Sequence, residues 1–274
     1  MNIPLFPLPS QPKTEIAFHA PTVKNALDYS SYNGDDDEAT TTQYLNDMQI
    51  GTIINSAEWT VQDRRTALWW IFINSRPDAV MSYSYECRHC NEPHHIDIDL
   101  NDLASTVEFL VVPPFVTVEI PTQGVQTNWT LKPLTGRGAA MLERMRVALP
   151  EKSDPKYRSE INRMRIAEIA LCTSLPDDPE DYEEAANRRF DLIDSMALET
   201  EFTPLVAHIQ LMQRDLRHGL LMTIESGSSR LILPEQSCEK PNMEGAALTT
   251  ILHVPFLNRE FIPSIRSEWL ANHH

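Results

Sequence analysis

Residues 80–100, VMSYSYECRHCNEPHHIDIDL, constrain the fold more than any other stretch of the chain. Met81, Tyr83 and Tyr85 alternate with Ser82, Ser84 and Glu86. Beyond a short polar link, Ile96, Ile98 and Leu100 alternate with His95, Asp97 and Asp99. Period-two alternation on both sides of a link predicts an antiparallel hairpin with one buried face. Its tip carries Cys87-Arg88-His89-Cys90, and His94 and His95 follow. This is half of a zinc knuckle, whereas a structural zinc takes four ligands, usually from two such pairs. The candidate ligands are Cys87 and Cys90, completed by His94 or Cys238. His94 and His95 are too close in sequence for both to reach one ion. With no second cysteine pair, the hairpin is expected to stand on its buried face without an ion, and bound zinc is the alternative.

The 274 residues suffice for one large or two modest domains. A net charge of −16 argues against a nucleic-acid partner, because phosphate recognition needs a basic face. No run of about eighteen apolar residues exists to span a bilayer. Met1 to Pro12 lacks the basic and apolar regions of a signal peptide. Four scattered cysteines, Cys87, Cys90, Cys172 and Cys238, do not form a secreted disulfide framework, so a reducing cytoplasm is expected.

Along the chain, a strand over 14–19 and a helix begun by Pro21-Thr22-Val23 precede the acidic run Asp35 to Glu38. That run reads as a solvated loop, since it lacks the alternating ligands of a calcium site. A helix is expected over about 41–50. Thr60, with Asp63 three residues on, caps the next helix, whose Ala67 to Ile73 are apolar almost all round and so predict burial. Thr106 to Pro121 suggests two strands around Pro113-Pro114, and another strand follows over 129–133. The period then changes to that of helices. Four follow, carrying Met141–Leu149, Tyr157–Leu171, Tyr182–Ala197 and Leu205–Leu216. Gly136-Arg137-Gly138 lacks the rest of a phosphate loop and reads as a helix start. Past Gly219 the β pattern returns over 220–225, 230–233 and 249–254. The predicted class is α+β, with a β-rich part over 1–135, a helical section over 136–218 and a C-terminal β segment over 219–274. The last is expected to pack back on the first, since the Cys238 region loosely echoes the first cysteine hairpin.

Several of these residues carry a family resemblance. Asp63-Arg64 at a helix start, the Cys87/Cys90 hairpin, Leu134-Thr135-Gly136, and the ending Pro255-Phe256 with Glu260-Phe261-Ile262-Pro263 occur in an order resembling baseplate hub assembly and other morphogenetic proteins of tailed bacteriophages. The likeness runs from about Pro9 to Pro263. The chain departs from the pattern where a second Cys-x-x-Cys would stand, with only Cys238 present, and in its extra acidic run. The resemblance implies a non-enzymatic role in building, or sitting in, the tail tip. The partners would be other tail or baseplate hub proteins, and the location the host cytoplasm or the virion tail. A zinc-dependent enzyme using Cys87, Cys90 and His94 or His95 is the rival reading, and a zinc-ribbon binding module a third. The chain has no His-Glu-x-x-His, no His-x-Glu beside the cysteines and no Gly-x-Ser-x-Gly, so no catalytic residue is assigned.

Overall fold

The computed structural model describes residues 3–30, 34–225, 228–238, 240 and 248–265. Hairpin β1 (Phe6–Leu8) and β2 (Gln11–Ile16) leads into helices α1 (Val23–Asp28), α2 (Asp37–Asp47) and α3 (Val61–Asn74). Thr60 and Asp63 form the expected capping box on α3. Residues 67–73 of α3 are apolar all round and leave it no solvent face, and the polar Asp63, Arg64 and Arg65 before them are buried too. Leu68, Trp69 and Ile71 are all buried. The cysteine hairpin follows as β3 (Val80–Glu86) and β4 (Pro93–Asp99), in the register Tyr83↔Ile96 and Met81↔Ile98.

A 3₁₀ turn over 100–106 leads to hairpin β5 (Val116–Thr122) and β6 (Val125–Leu131). Helices α4 (Gly136–Val147) and α5 (Tyr157–Leu171), the short β7 (Thr173–Ser174) beside β6, and helices α6 (Tyr182–Asp194) and α7 (Thr203–Asp215) complete the central section. The β pattern then returns in β8 (Met222–Glu225), β9 (Ser228–Ile232), β10 (Gln236–Ser237), β11 (Thr249–Thr250) and β12 (His253–Pro255), followed by the single turn α8 (Asn258–Phe261). β9 lies between β8 and β12, and β10 pairs with β11. The architecture is α+β, with the cysteine hairpin early, helices in the centre and strands returning at the end.

Two hydrophobic cores organise these elements. The first joins residues 3–103 to residues 220–262, so the C-terminal strands pack back on the N-terminal part. The second is built from residues 110–216, with Val61 of α3 reaching into it. The chain leaves the first core at Glu108 and re-enters at Gly219. These two residues exchange both backbone hydrogen bonds, at 3.0 and 2.7 Å. Gly219 has a φ of +70°, and a Cβ there would lie 2.4 Å from Thr66 Oγ1, so glycine is required at the return point.

Three expectations need correction. Hairpin β5–β6 belongs with the helices and not with residues 1–135, because Ile120, Trp129 and Leu131 are buried against helical side chains. Of the two strands expected around Pro113-Pro114 only the second forms. The prolines supply no N–H, and Val111, Val112 and Phe115 stay exposed. Nor is the acidic run wholly a solvated loop. α2 begins at Asp37, and Glu38 is only 4 % exposed, its carboxylate held by the guanidiniums of Arg64 and Arg65. The Ser226-Gly227 link and most of 239–247 lie outside the described residues.

Candidate metal centre

The tip of β3–β4 is a tight turn. Cys87 N–H donates to the Glu92 carbonyl at 2.9 Å and Asn91 N–H to the Cys87 carbonyl at 2.8 Å, with Asn91 in the left-handed region at φ 55°. The turn directs the N–H groups of His89 and Cys90 at Cys87 Sγ, which holds that thiol below its ordinary pKa. Cys90 Sγ lies 3.2 Å from His94 Nε2. His94 can join the cysteines because it follows them onto β4 opposite Tyr85, on the half-buried side of the strand. His95, one residue on, faces the exposed side.

The fourth group comes from the other end of the chain. Cys238 follows β10, and its N–H donates to the Leu248 carbonyl at 2.7 Å. Two contacts seat this segment on the turn: His89 Nε2 lies 3.2 Å from the Thr249 carbonyl, and Lys240 forms an ion pair with Glu92. Lys240 N–H donates to Cys238 Sγ and stabilises its thiolate. Burial and the sulfurs of Cys87 and Cys90 outweigh that, and the Cys238 pKa is raised overall. Packed sulfurs that resist joint ionisation are what a cation would relieve.

Cys87, Cys90, His94 and Cys238 thus place one ligand atom each within 4.8 Å of every other, a cluster that could hold a metal ion. Tetrahedral zinc, with Zn–S of about 2.3 Å, spaces its ligand atoms about 3.5–3.8 Å apart, so the donors fit a single ion after small adjustments. An iron–sulfur cluster, which carries its own sulfides between the cysteines, does not fit so small a space. Zn²⁺ with three thiolates and a neutral imidazole carries one net negative charge. The ammonium of Lys240, itself stabilised by Glu92 and by Cys90 and Cys238, lies beside it. Cys172, the remaining cysteine, is buried in the second core and its pKa is pushed up to about 12 by that burial.

The sequence named all four groups, but left His94 and Cys238 as alternatives to one another. The structure brings both in, the histidine from the first hairpin and the cysteine from the C-terminal segment. Reading His94 as two residues before Ile96 on the apolar face of the hairpin would have found it.

The other motif residues sit in the framework. Asp63 is fully buried, accepts from Ser10 N–H at 2.8 Å, and lies 3.7 Å from His218 Nε2. His218 Nδ1 donates to the Leu216 carbonyl, and its Nε2 shares a hydrogen bond of 2.7 Å with the Thr60 hydroxyl. Arg64 reaches Glu38, Thr42 and the Ser56 carbonyl. Phe256 stacks on Phe261 with ring centroids 4.1 Å apart, and Phe261 meets Phe72 edge-on at 5.2 Å. Among the described residues, no helix is long and apolar enough to cross a membrane. Compared with protein-family models, curated proteins and solved structures, the chain has no significant match to any of them.

Proposed function

We propose that this chain is a non-enzymatic morphogenesis protein of a bacteriophage tail, an assembly factor or component of the baseplate hub, with a structural zinc fixing its C-terminal strands. The observation carrying the zinc is the convergence of Cys87, Cys90, His94 and Cys238 from two distant segments. Four protein ligands complete a tetrahedral shell and leave no open position for water or substrate, which favours a structural ion over a catalytic one. The phage reading rests on the resemblance. It is supported by where the resemblance residues lie: Asp63 caps α3, Arg64 is buried under Gly136, and Phe256 and Phe261 close the first core. Residues used this way hold a scaffold together.

The test has two arms. Elemental analysis of the purified chain should find one zinc per molecule. Tails and hub intermediates purified from infected cells should contain the chain or, for an assembly factor, enrich it in the intermediates. Absence from both, together with a metal-dependent hydrolytic activity, would favour the enzyme instead.

A further inference from the structure

The four ligands are unequally protected. Cys87 is 1 % exposed and Cys238 7 %, whereas Cys90 and His94 are half-buried. Cys87 Sγ is the target of two backbone N–H groups and Cys238 Sγ of one. Such donors draw charge from a thiolate and blunt its nucleophilicity. Cys90 Sγ lies 3.2 Å from His94 Nε2, which would share the ion with it, and beside the sulfurs of Cys87 and Cys238. Of the three cysteines in the centre, Cys90 is the least buried.

We propose that Cys90 is the reactive thiolate of the centre, the ligand at which peroxide or another soft electrophile attacks and so releases the ion. This rests on the zinc reading above. The Cys90 sulfur pair attacks the nearer oxygen of hydrogen peroxide, the O–O bond breaks and hydroxide leaves, giving the sulfenic acid. The Cys87 thiolate then attacks the Cys90 sulfur, forming S–S, breaking S–O and expelling a second hydroxide. Two thiolates lose two electrons and one peroxide gains them. Cys87 is the resolving partner because only two residues separate it from Cys90 in the same turn, so closure needs no movement of the Cys238 segment. The ion is left with His94 and Cys238 alone, too few ligands to retain it. The metal link between the two hairpins is lost with it, and the His89–Thr249 and Lys240–Glu92 contacts remain.

The experiment uses the full zinc-loaded chain. With limiting N-ethylmaleimide, peptide mapping should show adduct on Cys90 at least about tenfold ahead of Cys87 and Cys238. With one equivalent of peroxide, a Cys87–Cys90 disulfide should form as zinc appears in a pyridylazoresorcinol assay, and Cys238 should stay open to alkylation. Because Cys90→Ser removes a ligand, Cys90→His is the decisive variant. It keeps four donors, so it should bind zinc and release it to peroxide about tenfold more slowly. First labelling at Cys87 or Cys238, or release from Cys90→His at the unmodified rate, would overturn the proposal while leaving the zinc centre intact. A chain that takes up no zinc on refolding with the ion would overturn the centre and this proposal together.

Discussion

The guanidinium of Arg64 occupies the space in which a side chain at Gly136 would begin, since a Cβ there would lie 2.1 Å from Nη1. Arg64 is itself fully buried and cannot withdraw to water, because both its Nη groups are committed to Glu38, Thr42 and Ser56. One glycine thereby joins the start of α4 to α2 and α3.

Gly136→Ala should destabilise the fold by about 3–5 kcal/mol, the range for breaking a buried charged pair. Urea denaturation of the two proteins measures it. Ala at Gly34, where nothing lies within 4 Å of a built Cβ, is the control and should cost under about 0.5 kcal/mol.

Removing the ion should loosen the C-terminal strands before the helices. A strong chelator should lower the melting temperature by several degrees and speed amide exchange in residues 80–99 and 228–255. His94→Ala and Cys238→Ser should each reduce bound zinc to below about a tenth, whereas Cys172→Ser should retain it, as seen by elemental analysis.

Burial raises the Glu143 carboxyl to about 7, and burial raises Asp37 to about 6. Both bind a proton more tightly folded than unfolded. The stability they contribute is therefore complete below the ordinary values of 3.8 for Asp37 and 4.5 for Glu143 and is lost as pH rises through 6 and 7. Glu143→Gln keeps the oxygen that accepts Glu38 N–H at 3.0 Å and removes the ionisation. The variant should gain on the parent by about 1 kcal/mol between pH 5 and 8, allowing for partial solvation. Parallel denaturation curves across that window check the sign.

Phe261→Ala should cost about 3–5 kcal/mol, since the ring is 2 % exposed and packs between Phe72 and Phe256. A double-mutant cycle with Phe256→Leu should return a coupling of about 0.5–1.5 kcal/mol, the increment for a specific aromatic pair.

What the sequence disclosed follows from the range of the forces involved. The β3–β4 hairpin, the Thr60 cap and the central helices are written in local periodicity, and they form where that periodicity places them. The pairing of Glu38 is not legible locally, because its two arginines lie a full element away and nothing nearby marks the carboxylate as paired. Hairpin β5–β6 alternates like its N-terminal neighbours, and alternation does not say which core a buried face will join. His94 and Cys238 could each be seen as a metal donor. Their meeting could not, because it depends on how β10 and β11 dock against the first hairpin.

The contact between Glu108 and Gly219 also bears on the order in which the molecule is completed during synthesis. The second core is built almost wholly from the continuous segment 110–216, so it can consolidate as that segment leaves the ribosome. The first core has to wait, since a third of its buried side chains and the last metal donor come after Gly219. The part of the protein made first is thus finished last. Until then Phe72 of α3 lacks the cover that Phe261 later supplies.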